Sequence, residues 1–76
     1  MINYIVKRES YSGLFNFNSL DDAQKLCRGL KDKFNISDLI LWKIENDQLE
    51  RMEISNEEKY QVSEKELLQL LGIFIK

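Results

Sequence analysis

The apolar residues between Ser19 and Phe34 fall in a helical rhythm. Leu20, Ala23, Leu26, Cys27, Leu30 and Phe34 recur at spacings of three and four, which gathers them into a stripe roughly 120° wide at 3.6 residues per turn. Ser19 is a good N-cap for this helix, with Asp21 and Asp22 against the positive end of its dipole and Lys31 and Lys33 at the negative end. Asn35 is the expected stop. Gly29 falls on the polar side of the wheel, where its cost relative to Ala is about 1 kcal/mol of helix propensity and no core contact.

On either side of the helix the period changes to two. Ile2, Tyr4 and Val6 alternate with Asn3, Ile5 and Lys7, a strand with one apolar face and one mixed face. A polar turn ending at Gly13 leads into a second strand holding Leu14, Phe15 and Phe17, so the first two strands form an antiparallel hairpin. After the helix, Leu39-Ile40-Leu41-Trp42-Lys43-Ile44 is apolar on both faces until Lys43 and reads as an interior strand, its apolar neighbours favouring the core for Trp42 over an interface. The turn Glu45-Asn46-Asp47-Gln48 returns the chain as a fourth strand from Leu49 to Ile54. Asn and Asp tolerate positive φ there, and the charges of Glu50, Arg51 and Glu53 suit an edge.

Tyr60 and Val62 suggest a short extended piece. Ser63-Glu64-Lys65-Glu66 has the capping-box pattern that opens a second helix. That helix is expected to reach at least Leu71, with Gly72 as a left-handed stop before an extended tail, or to continue to Lys76. Leu67, Leu70, Leu71 and Phe74 can make one buried face, whereas Leu68, Ile73 and Ile75 project elsewhere and are candidates for contact with a partner. The sum is an α+β fold: a small antiparallel sheet of about four strands with two helices on one face, in the order β-β-α-β-β-α, as a single domain over residues 1–76.

Composition limits the chemistry. The chain has 76 residues, 43% hydrophobic and 32% charged, which is globular but small enough that its own core is marginal and self-association as a homodimer is a reasonable expectation. It has no histidine, which removes the commonest general base and metal ligand near neutral pH. No Gly-rich phosphate loop or paired-Cys metal site is written in the sequence. Asp21 and Asp22 offer hard oxygen ligands, but adjacent helical residues point about 100° apart and helix capping explains them. The expectation is a protein that is not an enzyme, with no cofactor and no metal. Cys27, alone and on the apolar stripe, is expected to be an inert buried thiol. No apolar run approaches the roughly 20 residues of a membrane span and the first residues lack a signal-peptide core, so a cytoplasmic protein is expected.

Charge is uneven. Residues 1–43 are slightly basic, whereas Glu45 to Glu66 holds eight acidic residues against Arg51, Lys59 and Lys65. A basic nucleic-acid footprint is missing, so direct nucleic-acid binding is not expected, and a protein partner with a basic surface would be met by Glu45, Asp47, Glu50, Glu53, Glu57 and Glu58. The passage from Gly13 to Lys25 resembles the strand-to-helix passage of RNA recognition motifs, with Phe17 and Ala23 on that family's Phe and Ala. Ser12 and Leu14 then stand where the family has its base-stacking aromatics, so the resemblance implies shared core packing and not RNA contact. In size and composition, rich in Lys, Ile and Asn and free of proline, the chain resembles small accessory proteins of phages and prophages in low-GC bacteria. Some of those inhibit host defence systems.

These features predict a small binding module that blocks or regulates a protein partner, such as a defence or nucleic-acid enzyme. The alternative is a binder of a small ligand or nucleotide at a subunit interface, with phosphate contacts from Arg8, Lys25, Arg28 or Lys43.

Overall fold

A computed structural model describes residues 1–72. Strands β1 (Ile2–Arg8), β2 (Leu14–Phe17), β3 (Leu39–Glu45) and β4 (Gln48–Met52) form one antiparallel sheet in the order β2-β1-β3-β4. Helix α1 (Leu20–Phe34) follows β2, and helix α2 (Glu64–Leu70) follows a 3-10 turn at Glu58–Tyr60. The expected α+β architecture, including its β-β-α-β-β-α order, is the one observed. Ile73 and Ile75 lie outside the described residues.

The local signals act as their chemistry requires. Ser19 Oγ accepts from the Asp22 N–H at 3.4 Å, and Asn35 closes α1 in the left-handed region at φ 55°. Asn46 and Asp47 both take positive φ, 52° and 62°, and leave only two residues between the paired Glu45 and Gln48. Two successive left-handed residues match the right-handed twist of the flanking strands, which is why this hairpin is tight. Ser63 Oγ accepts from the Glu66 N–H at 3.2 Å to start α2, and Gly72, at φ 77°, follows its last turn. Where a short extended segment was expected, Tyr60 instead ends the 3-10 turn and is buried.

Because directly opposed residues of an antiparallel pair share a face, the register sorts the side chains. Val6, Leu39 and Leu41 face α1 and form the core with Ala23, Leu26, Cys27, Leu30 and Leu67. Tyr4, Phe17, Leu20 and Met52 pack around that centre.

Three expectations need correction. Phe34, counted on the apolar stripe, is 48% exposed, because α1 ends there beyond the edge of the core. Trp42 is not in the core: it alternates with Leu41 and stands half-buried on the face of the sheet away from α1. Gly29 is buried rather than on a solvated side, and a Cβ there would come within 2.7 Å of Leu67 Cδ1 and 2.9 Å of Val62 Cγ2. Glycine is therefore what lets α2 approach α1.

The buried arc of α1 is wider than its apolar stripe. At 100° per residue, Gln24 on one flank and Gly29 on the other bound an arc of roughly 220°. The chain after β4 meets both flanks. Gln24 Nε2 donates to the Glu53 carbonyl at 3.0 Å and its Oε1 accepts from the Ser55 N–H at 2.8 Å, while Lys31 Nζ reaches Asn56 Oδ1 at 3.4 Å on the same side. Val62 and Leu67 then pack against the Gly29 flank. Residues 53–67 thus pass from one side of α1 to the other, tying the second helix to the first.

Candidate interaction surface

The helices lie on one side of the sheet, and the other side is built by alternation alone. Asn3, Ile5 and Lys7 of β1, Leu14 and Asn16 of β2, Ile40, Trp42 and Ile44 of β3, and Leu49 and Arg51 of β4 share it. The register sets Ile5 and Arg51 directly opposite Trp42 on its two sides, and Leu49 opposite Ile44. Ile5, Ile40, Trp42 and Ile44 are all half-buried. Leu14 and Leu49, at the margins, are 54% and 63% exposed. Within the strands this face carries two charges, Lys7 and Arg51, and no carboxylate. An apolar centre holding an indole inside a polar, cationic rim is the anatomy of an interface patch. This surface is hidden in the sequence because a run apolar on both faces reads as covered on both.

The six carboxylates singled out from the sequence fall at different places. Glu45 and Glu50 share the helix side of the sheet about Lys43, which pairs with Glu45 at 3.6 Å and stands directly opposite Glu50. Asp47 is in the adjoining turn. Glu53 lies just past the far end of β4, about 10 Å along the strand from Glu50 and about 20 Å from Asp47 at 3.3 Å per residue. Glu57 and Glu58 belong to the 3-10 turn region beside α1, where Glu57 pairs with Lys59 at 3.3 Å. That carboxylate, with a smaller contribution from the Tyr60 hydroxyl, raises the Lys59 pKa. The turn group and the Glu57-Glu58 group are not one continuous acidic face. Leu68 is half-buried on α2.

A groove of about 410 Å³ opens between the β1–β2 loop and the end of α1, lined mainly by apolar side chains including Val6, Phe15, Leu30, Ile36 and Leu39. Arg8 and Tyr11 are at its mouth, the guanidinium 4.5 Å from the ring centroid. Of the cations proposed for phosphate contact, Arg8 lines it and Lys25, Arg28 and Lys43 do not. Arg8 Nε is held by Asp38 at 2.8 Å, Arg28 Nε by Asp32 at 2.7 Å, and Lys43 by Glu45.

Cys27 is enclosed, and burial pushes its thiol up to about 12, so it stays protonated and unreactive at neutral pH. Among the described residues no group of acidic or thiol side chains is arranged to hold a metal ion, and no helix is long and apolar enough to cross a membrane.

The class that fold and surface define is an α+β sheet which, among the described residues, is covered on one face and bare on the other. No family model, curated protein or solved structure matches the chain.

Proposed function

We propose that this chain is a small non-enzymatic binding module that blocks or regulates a protein partner in the cytoplasm, and that its contact surface is the bare face of the sheet. The observation that carries this is the contiguity of Ile5, Ile40, Trp42 and Ile44 on that face. A side chain as large as Trp42, set among aliphatics and partly dry before any partner arrives, loses its remaining water at little ordering cost.

The occupant is a protein with an apolar patch and an acidic rim, since Lys7 and Arg51 are the charges that border this centre. That is opposite in sign to the partner expected from the chain's acidic half, whose carboxylates Glu45 and Glu50 are on the other side of the sheet. The activity is occlusion: what the module covers is withheld from other ligands. Small accessory inhibitors of phages, which the chain resembles in size and composition, act in this general style.

The test is a titration of a partner, purified after capture from the native host, with wild-type chain, Trp42→Ala and the double reversal Glu45→Lys/Glu50→Lys. Loss of a central indole is expected to weaken binding by roughly 30-fold, with the free chain still folded at the assay temperature although its thermal midpoint falls with the lost cross-strand contacts. The double reversal should change affinity by less than about two-fold. Binding that survives Trp42→Ala but is lost on the double reversal would reject the sheet face in favour of the acidic turn.

A further inference from the structure

The two outer edges of the sheet differ in how they are guarded. β4 carries Glu50 and Arg51, and charge on an edge strand discourages pairing with another chain. β2, the edge on the other side, carries none: from Ser10 to Leu20 there is no charged residue, in a chain that is 32% charged. Nor does β2 hold a proline, since the chain has none. Alternate residues of an antiparallel strand turn both N–H and C=O away from their partner strand. β2 pairs with β1 alone, so half of its backbone groups face outward, and none of them bonds to backbone elsewhere among the described residues. Leu14, at 54%, and Phe15, at 38%, are exposed along this edge.

We propose that β2 is a self-association edge, pairing antiparallel with β2 of a second copy about a two-fold axis normal to the sheet. Such an axis keeps the helix side of one copy continuous with the helix side of the other, and that restricts the register to pairings of like-faced residues. With Asn16 on the axis, Phe15 stands opposite Phe17 of the partner subunit on the helix side, an aromatic cross-strand pair made twice. On the bare side, Asn16 stands opposite Asn16 of the partner subunit.

A second copy is favoured over an unrelated strand because an edge without charge has nothing to steer a foreign chain and nothing to repel its own. The product is a sheet of twice four strands with the charged β4 at both outer ends, so assembly closes at two and does not propagate. It also sets the two bare faces side by side. This goes beyond the partner-binding surface and does not depend on it: one is read in mass, the other in affinity for a partner.

Sedimentation equilibrium over a wide concentration range tests it with four chains: wild type, Asn16→Lys, Asn16→Glu and Leu68→Glu. Asn16 is exposed on the bare side, so both charges are tolerated by the fold. Wild type should dimerise. Each Asn16 variant alone should dissociate roughly five-fold or more readily, since like charges then oppose across the axis. An equimolar mixture of the two should recover the dimer, and Leu68→Glu should leave it intact. A wild type that remains monomeric, a dimer indifferent to both Asn16 variants, or a mixture no tighter than its components each overturns the pairing. Hydrogen exchange on the wild type gives a readout without substitution: the outward amides of Leu14–Phe17 should exchange more slowly as concentration rises, and concentration-independent exchange counts against the edge.

Discussion

Among the described residues Asp38 is the most heavily hydrogen-bonded charge. It accepts from the Ser10 hydroxyl at 2.6 Å, from Arg8 Nε at 2.8 Å and from the Ser10 N–H at 3.2 Å, while its own carbonyl takes the Glu9 N–H at 2.9 Å. The Ser10 hydroxyl first, and Arg8 next, hold its carboxyl at about 2 rather than the ordinary 3.8. A carboxyl depressed by folding stabilises the fold at pH values above its unfolded value, and that contribution is lost as pH falls through the folded one. Stability measured by denaturant unfolding should therefore decline between about pH 4 and pH 2, and Asp38→Asn should flatten that limb while also lowering stability at pH 7. Equal acid slopes in the two chains would mean that other carboxyls govern the decline. Gln24 is the neutral counterpart, a buried amide whose two ends satisfy one carbonyl and one N–H of the segment leaving β4. Neither role is written at the residue itself. Asp38 in a turn and Gln24 beside an apolar stripe have ordinary local explanations, and only partners 28 to 31 residues away give them these tasks.

Elements with a period of their own were legible, and their neighbours were not. The strands follow from alternation, α1 from its three-four spacing, and the β3–β4 turn from Asn46 and Asp47, because each depends on chemistry local to the segment. Trp42 was misassigned for a reason that belongs to β3 as a whole: Leu39 to Trp42 is apolar at every position, and an unbroken run specifies a strand without saying whether both of its faces are roofed. The candidate surface went unread with it, while the acidic residues that stood out by charge are spread from the β3–β4 turn along β4 to the 3-10 turn. Gly29 was misjudged because a helical wheel shows where greasy residues sit, not where a second helix will arrive. Gly29→Ala sets a propensity gain of about 1 kcal/mol against overpacking of about 1–3 kcal/mol on Leu67 and Val62. The net should be a loss of stability, visible as a lower thermal midpoint. In a double-mutant cycle with Leu67→Ala the added methyl occupies space the smaller residue vacates, so the pair should be less destabilised than the two single costs combined. Strict additivity would mean that Gly29 is not the contact point of the helices.

At the scale of the whole molecule, residues 53–67 reach both flanks of α1 and bring α2 to it, so the order of elements becomes a layered body in which the described residues roof one side of the sheet. The sequence predicted that layering correctly, since six elements of these lengths leave few other ways to shelter one apolar stripe. It could not predict which surface stays uncovered, because that depends on where α2 comes to rest, and α2 rests on α1 and not on the sheet's far side.

The chain's one tryptophan stands in the middle of that uncovered surface, so the molecule carries its own optical gauge. Indole emission moves to shorter wavelength and becomes harder to quench as water leaves the ring. A genuine occupant of the bare face should turn the protein's fluorescence bluer and protect it from acrylamide with no dye attached. A ligand that bound in the groove near Arg8 instead would leave the colour as it was.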